Sequence, residues 1–313
     1  MAARRGAGDH AAIVGRRLRN QLLTGPGPRR PDGVVRWFGA VQAQEYEAAK
    51  WAIGLRLPDG VGEDRIERAF GQGQILRTHV MRPTWHFVAS GDIRWMLELT
   101  APRVRRLMAP YDRRLELDPK TVSRGVDVVG RALRDGSHLT RAELRERLEK
   151  AGLSMSGQRL AHLVMHAELE AVVCSGPRRE KRFTYALLAE RAPRAERLSR
   201  DDALAELARR YFRSHGPATI RDFVWWSGLT VADTKRGLEM IRAVPEQACG
   251  RTYWTVGEAR RASVRGTQAQ LLPIYDEYLV AYRDREAVPH AASAPAASPR
   301  ADVVTFQNAL VVG

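Results

Sequence analysis

One pattern recurs along this chain and limits what it can fold into: a capped short helix, a turn, a second helix, then a pair of strand-like runs. Thr140-Arg141-Ala142-Glu143-Leu144 has capping-box spacing, in which the threonine hydroxyl accepts an N–H of the first turn and the glutamate reaches back. A helix over 157–170 follows, then Ala171-Val172-Val173-Cys174, a basic turn over 175–181, and Arg182-Phe183-Thr184-Tyr185-Ala186-Leu187. Thr219-Ile220-Arg221-Asp222-Phe223 reopens the same order 79 residues later, with a helix over 231–241 and strand-like Thr252-Tyr253-Trp254-Thr255-Val256. Residues 64–88 form a looser third copy. Short helices followed by a hairpin are the pattern of a winged helix, a relative of the helix-turn-helix. Its repetition strengthens a signal that would be weak alone. The expected fold is therefore α+β and helix-rich. Its units are 1–118 (N-terminal helices and a first winged helix), 119–196, 197–265, and a C-terminal β-rich element over 266–313.

The charge balance points to a partner. Fifty-one Lys and Arg face 36 Asp and Glu in 313 residues, a formal +15. Such an excess favours an anionic surface, nucleic acid first and an acidic membrane second. A hydrophobic share of 44% is enough for a core. Cys174 and Cys249 are too few and too far apart for a disulfide framework or a zinc site. No apolar run reaches about 18 residues, and Met1 to His10 has no apolar signal core. A cytoplasmic protein that does not enter the membrane is the expectation.

Along the chain, residues 11–23 read as a basic amphipathic helix and 34–40 as a short one. Residues 45–57 and 64–70 are also helical by period. Between the second and third lies Gly39-Ala40-Val41-Gln42-Ala43-Gln44-Glu45-Tyr46-Glu47. Two glutamines two apart would diverge on a helix but point the same way on an extended backbone. If this segment is an extended connector, both amides can converge on a water or a polar edge; otherwise they are solvated glutamines near a helix end. The run 75–88 mixes β-branched and aromatic residues and reads as two strands with Pro83 at a bend. A helix starts near Asp92, with Pro102 marking its end or a kink.

Familiar catalytic signatures are missing: no phosphate-binding Walker loop, no G-x-G-x-x-G after a strand, no H-E-x-x-H. His162 and His166 share a helix face that suits a metal, but no third ligand is near in sequence, so a polar face is expected and no metal. His79 and His86 flank the Arg82-Pro83-Thr84 turn; they could line a groove, although packing is the plainer account. Asp276-Glu277 are adjacent and would diverge on a strand, which favours capping or pairing with arginine over acid/base work. Trp85, Trp95, Trp225, Trp226 and Trp254 read as core or interface residues, with stacking on a base as the sharper option. Residues 303–306 and 310–312 read as strands after an Ala/Ser/Pro-rich loop, the last with no visible partner.

Three stretches, in order, carry a resemblance. They are Gly39 to Gln44; Met81-Arg82-Pro83-Thr84-Trp85-His86-Phe87-Val88 with Asp92 and Trp95; and Leu272-Pro273-Ile274-Tyr275-Asp276-Glu277-Tyr278-Leu279 with Tyr282-Arg283-Asp284-Arg285. With them the chain resembles the AlkZ/YcaQ family of winged-helix DNA glycosylases. The resemblance implies three tandem winged helices around a concave basic DNA-binding surface, plus a C-terminal barrel-like β element. It implies a catalytic Gln-apolar-Gln motif, matched by Gln42 and Gln44, and no cofactor. A sister branch has Asp at the second position, so Gln44 places the chain with the AlkZ-like branch. The substrates implied are N7-alkylated guanines in double-stranded DNA, including interstrand crosslinks from natural-product toxins. Two departures stand out. Pro83 occupies a position where the family often has Gly, and the chain stops at Gly313 where members usually continue, so a shortened barrel is expected.

The chemistry agrees with the motif. N7 alkylation makes guanine a cationic leaving group, and cleavage builds positive charge on the sugar, as in glycoside hydrolysis. A neutral amide pair can then act by orienting water rather than by taking a proton. Bulky or crosslinked bases are hard to flip into a tight pocket, and an open cleft suits them. Candidates for DNA contact are Arg82, His86, Arg178, Arg179, Lys181, Arg260, Arg261 and Arg265, with a solvated charged surface as the alternative for the basic ones. The expected protein is a monomeric, monofunctional glycosylase whose abasic product passes to a downstream endonuclease. A winged-helix regulator without catalysis is the competing expectation, and a nucleotide or RNA hydrolase a weaker third.

Overall fold

The computed structural model describes residues 2–58, 62–257, 269–283 and 309–312. The first helix, α1 (Ala2–Asn20), ends earlier than its period suggests, because Leu22 turns to a positive φ of 59°. Its basic pattern conceals an inward arginine. Arg17 is buried, donates from Nε to the Pro217 carbonyl at 2.9 Å and lies 3.8 Å from the Tyr282 ring centroid. Next come α2 (Pro31–Phe38), β1 (Ala40–Gln42), α3 (Tyr46–Gly54) and α4 (Glu63–Gly71). Strands β2 (Ile75–His79) and β3 (Trp85–Ala89) make the expected hairpin, and β1 joins its far side in the antiparallel order β1-β3-β2.

Helix α5 (Ile93–Arg114) continues past Pro102 and Pro110, so Pro102 does not mark its end. A proline inside a helix forfeits a hydrogen bond and crowds the preceding turn, at about 3 kcal/mol. Burial of Ile93, Trp95, Met96, Leu97, Leu99 and Val104 offsets it, at roughly 1.5–3 kcal/mol for each large side chain. Next is α6 (Pro119–Ala132), with Asp118 as its N-cap. The second helix–hairpin unit follows as β4 (Leu139–Thr140), α7 (Arg141–Lys150), α8 (Arg159–Leu169), β5 (Val173–Ser175) and β6 (Thr184–Leu187), the strands in antiparallel order β4-β6-β5. The expected capping box at Thr140 and Glu143 is formed. The short α9 (Leu188–Arg191) and long α10 (Arg200–Ser214) lead to α11 (Ile220–Ser227) and α12 (Val231–Met240), each opened by a capping box, at Thr219 with Asp222 and at Thr230 with Asp233. Strands β7 (Val244–Ala248) and β8 (Arg251–Thr255) close that unit.

The C-terminal part corrects an expectation. Among the described residues it is no barrel: β9 (Ala269–Leu272) and α13 (Glu277–Val280) are followed by β10 (Ala309–Val312), which pairs antiparallel with β9. The last strand therefore has a partner, just upstream of the acidic pair. The strand expected over 303–306 lies outside the described residues.

The largest core cluster joins the β1–β3 sheet to α5, α10, α11 and α12, and takes in Ala281 and Tyr282. A second cluster runs from Leu117 to Tyr185 within the α6–β6 region, and a third gathers α2, α3 and α4 around Tyr46, Phe70 and Phe87. His162 and His166 are not on a polar face. Both are buried and hydrogen-bond the same Asp112 carboxylate, at 2.9 and 3.0 Å. No group of three or more His, Cys, Asp or Glu among the described residues could hold a metal ion. Among them, too, no helix is long and apolar enough to cross a membrane.

Candidate active site

The two-glutamine segment is extended through Gln42, where β1 ends, and bends at Gln44. Gly39, at φ 90°, ends α2 and turns the chain into β1 without a side-chain penalty. Ala40 then packs in the largest core cluster and Val41 in the α2–α4 cluster, the period-two alternation of a strand buried on both faces. Gln42 pairs with His86 on β3, and the ladder continues one residue further, with the Ala43 N–H donating to the Trp85 carbonyl at 2.8 Å.

Both carboxamides address the β2–β3 turn. Gln42 Oε1 accepts from Arg82 Nη2 at 2.8 Å, and Gln44 Oε1 accepts from the Trp85 N–H at 3.4 Å. Gln42 is 7% exposed and Gln44 half-buried. Each is held from behind. The Gln42 N–H donates to Glu277 Oε1 at 2.7 Å. The Arg77 guanidinium donates to the Ala43 carbonyl at 2.9 Å and the Gln44 carbonyl at 3.2 Å, between the rings of Trp85 (4.3 Å) and Phe183 (4.7 Å). Burial lowers the Arg77 pKa, but a guanidinium stays charged in any aqueous assay. Sequence reasoning missed Arg77; its alternation on β2 marks a strand residue but not its direction.

Asp276 both caps and pairs with an arginine, as expected of the acidic pair, whereas Glu277 does neither among the described residues. Asp276 caps α13 and takes a bidentate pair from Arg56, at 2.7 Å on each oxygen, with both residues buried. Glu277 accepts from Gln42, from Trp226 Nε1 at 2.9 Å and from His215 Nε2 at 3.3 Å. Burial pushes its carboxyl up, yet the His215 hydrogen bond and charge, the Gln42 N–H and Arg82 together hold it below its ordinary value.

The DNA-contact candidates fall in different settings. Arg82 is half-buried at the turn. His86 lies under it with no exposed surface; its Nδ1 is 2.9 Å from the Thr84 carbonyl, and its Nε2 has no hydrogen-bond partner among the described residues. Arg178 is drawn inward, 3.0 Å from Glu67 and 4.8 Å from the Tyr46 ring. Arg179 is exposed but paired with Glu143 at 2.8 Å, and Lys181 is exposed. Arg260, Arg261 and Arg265 lie outside the described residues.

A basic track leads away from Gln42 that the sequence did not flag. Arg82 and Arg283 both approach the Trp225 ring, at 5.9 and 5.3 Å. Arg283 in turn lines a cavity of about 590 Å³ with Arg221, Arg251, Thr252 and Trp254, and among the described residues no carboxylate lines it. Of the five tryptophans singled out in the sequence, Trp95 and Trp226 are fully buried, while Trp85, Trp225 and Trp254 keep part of their surface.

The model of the family described as DNA glycosylase AlkZ-like matches residues 35–312, most of the chain. In structure the chain is similar to Streptomyces sahachiroi DNA glycosylase AlkZ, with a TM-score of 0.74 over 88% of this chain and 78% of that one. At 23% sequence identity this second likeness speaks for the fold alone. No curated protein is significantly similar to the chain in sequence.

Proposed function

Because the chain belongs to the AlkZ-like family of DNA glycosylases, we propose that it is a monofunctional enzyme that hydrolyses the N-glycosidic bond of N7-alkylguanine in double-stranded DNA. Its helix–hairpin units act as tandem winged helices around one basic surface. Gln42 and Gln44 orient the attacking water. The observation that carries this reading is their common aim: two uncharged carboxamides, one at the end of an edge strand and one in the bend that follows it, both meet the 82–85 segment. An amide oxygen has two lone pairs, so Gln42 Oε1 can hold Arg82 and still accept a hydrogen bond from water. Water held this way presents its own lone pair to C1′ as the cationic base departs. The gain is one of geometry, which suits a substrate that already carries its leaving-group charge.

Phosphates of the bound duplex are met by Arg82 and Lys181, by Arg179, and along the cavity by Arg221, Arg251 and Arg283, giving salt-dependent affinity. Arg178 and His86 support this surface from within. The enzyme works as a cytoplasmic monomer in base excision repair or self-resistance to an alkylating toxin, and bulky adducts and crosslinks are within its range. Its abasic product passes to an endonuclease.

A duplex with one N7-methylguanine, treated with the protein and then alkali, is the direct test. Strand cleavage is expected. Gln42→Ala and Gln44→Ala should each slow single-turnover excision by about 100-fold while duplex binding persists. Near-normal rates in both variants would sink the water-orienting role. If the wild-type protein cleaves neither this nor a bulky-adduct or crosslinked duplex, and prefers a particular undamaged sequence instead, the chain is a regulator.

A further inference from the structure

Gln42 sits on the open edge of its sheet. The Ala43 N–H turns inward to β3, so the Gln42 N–H, one residue earlier, points outward. A buried edge N–H needs an acceptor. Here the acceptor is the Glu277 carboxylate, 2.7 Å away and 1% exposed. The same group receives Trp226 from α11 and His215 from the end of α10. Donors from three separate elements thus meet on one charge.

A neutral carbonyl would satisfy an edge N–H, and a buried charge adds a desolvation cost. A carboxylate has two oxygens and serves all three donors at once, Gln42 on Oε1 and Trp226 and His215 on Oε2. The residue it holds by the main chain is the one whose side-chain oxygen meets Arg82, at 2.8 Å. We propose that Glu277 is a positioning residue for the reaction, fixing the Gln42 main chain through its N–H and so the point from which the carboxamide projects. This rests on the reading that Gln42 orients the water.

Glu277→Gln tests it, because the shape is kept while the charge is lost. Its single oxygen cannot serve all three donors, and its new NH2 faces other N–H groups. Single-turnover excision, duplex affinity and Tm are measured for Glu277→Gln, Gln42→Ala and the double variant on an N7-methylguanine duplex. Amide deuterium exchange is followed over residues 39–46. Excision by Glu277→Gln should slow about 10- to 100-fold, with affinity within about twofold of wild type and faster exchange over 39–46. In the Gln42→Ala background the same change should add no further slowing, and Glu277→Asp, which keeps the charge, should recover part of the rate. An unchanged rate, or equal slowing in the Gln42→Ala background, would overturn the proposal. If Glu277→Gln fails to fold, Glu277→Asp carries the test: slower excision and faster exchange support the proposal, and neither overturns it. Failure of the parent reading looks different: wild-type protein excises nothing, or Gln42→Ala is fully active. Exchange over 39–46 then decides the positioning claim by itself.

Discussion

The Arg82 guanidinium donates to the Gln42 side-chain oxygen at 2.8 Å, so the tip of one hairpin grips the amide on the neighbouring strand. Arg82→Gln removes the charge and the reach. It should slow single-turnover excision of N7-methylguanine about 10-fold or more and reduce the slope of log affinity against log salt by about one ion. Arg82→Lys keeps the charge for phosphate but loses the planar fork. It should preserve the salt slope and still lose rate. Equal rates for wild type and both variants would exclude Arg82 from orienting Gln42.

Arg77 acts on the second glutamine. Its guanidinium spans the carbonyls of Ala43 and Gln44 between two aromatic rings. Lysine can neither span both carbonyls nor stack in the same plane. Arg77→Lys should cost about 1–3 kcal/mol of stability, as for charge-assisted hydrogen bonds lost in a buried place, read as a lower denaturant midpoint. Excision should fall further than stability accounts for, and by less when Gln44 is already alanine. A stability loss with an unchanged rate would make Arg77 purely structural.

What could be read from the sequence was what is local. The spacing of Gln42 and Gln44 suggested an extended connector, and β1 supplies it as far as Gln42. Thr140 with Glu143 and Thr219 with Asp222 are local boxes, and both formed. Asp276 with Glu277 suggested a cap and an arginine, but not that the arginine would be Arg56 from the opposite end of the chain. The grips on the two glutamines cross 33 to 235 residues of sequence, and no periodic signal encodes that. Pro102 does not end α5, because burial along the helix outweighed a local rule. His162 and His166 misled because their partner, Asp112, lies on another helix.

Two fully buried imidazoles set an acid limit on the fold. Burial pushes His86 well below its ordinary value of 6.5, with Arg82 and His79 adding repulsion and the Thr84 carbonyl opposing them. His86 Nδ1 donates to that carbonyl, which leaves Nε2 as the bare nitrogen of a neutral ring. Burial also lowers His215. A depressed folded pKa means that the unfolded chain binds more protons below 6.5. Stability should therefore be full above that pH and fall as pH drops through it, by up to about 1.4 kcal/mol per pH unit for each imidazole. Urea midpoints between pH 8 and pH 5 read this out. His86→Asn should lower stability at pH 8 yet flatten the acid slope; an unaltered slope would mean that His86 does not titrate as placed.

Gly228 connects the third helix–hairpin unit to the turn that carries Arg82. It ends α11 at φ 71°, and a Cβ there would stand 2.5 Å from the Met81 carbonyl oxygen. Met81 is itself at φ 66°, with its N–H on Thr100 Oγ1 at 3.1 Å, so the turn has little room to yield. Gly228→Ala therefore meets two costs. Backbone strain of about 1–3 kcal/mol falls on stability, and the clash displaces the 81–82 peptide and draws Arg82 away from Gln42. Gly250 separates the two effects. It has the same φ of 71°, but among the described residues no atom other than those of its chain neighbours lies within 4 Å of its would-be Cβ. Gly250→Ala should lose stability alone, whereas Gly228→Ala should lose stability and slow single-turnover excision about 10-fold. If the two variants excise at the same rate once corrected for the folded fraction, the Met81 turn tolerates the shift, and the hold on Gln42 does not depend on α11.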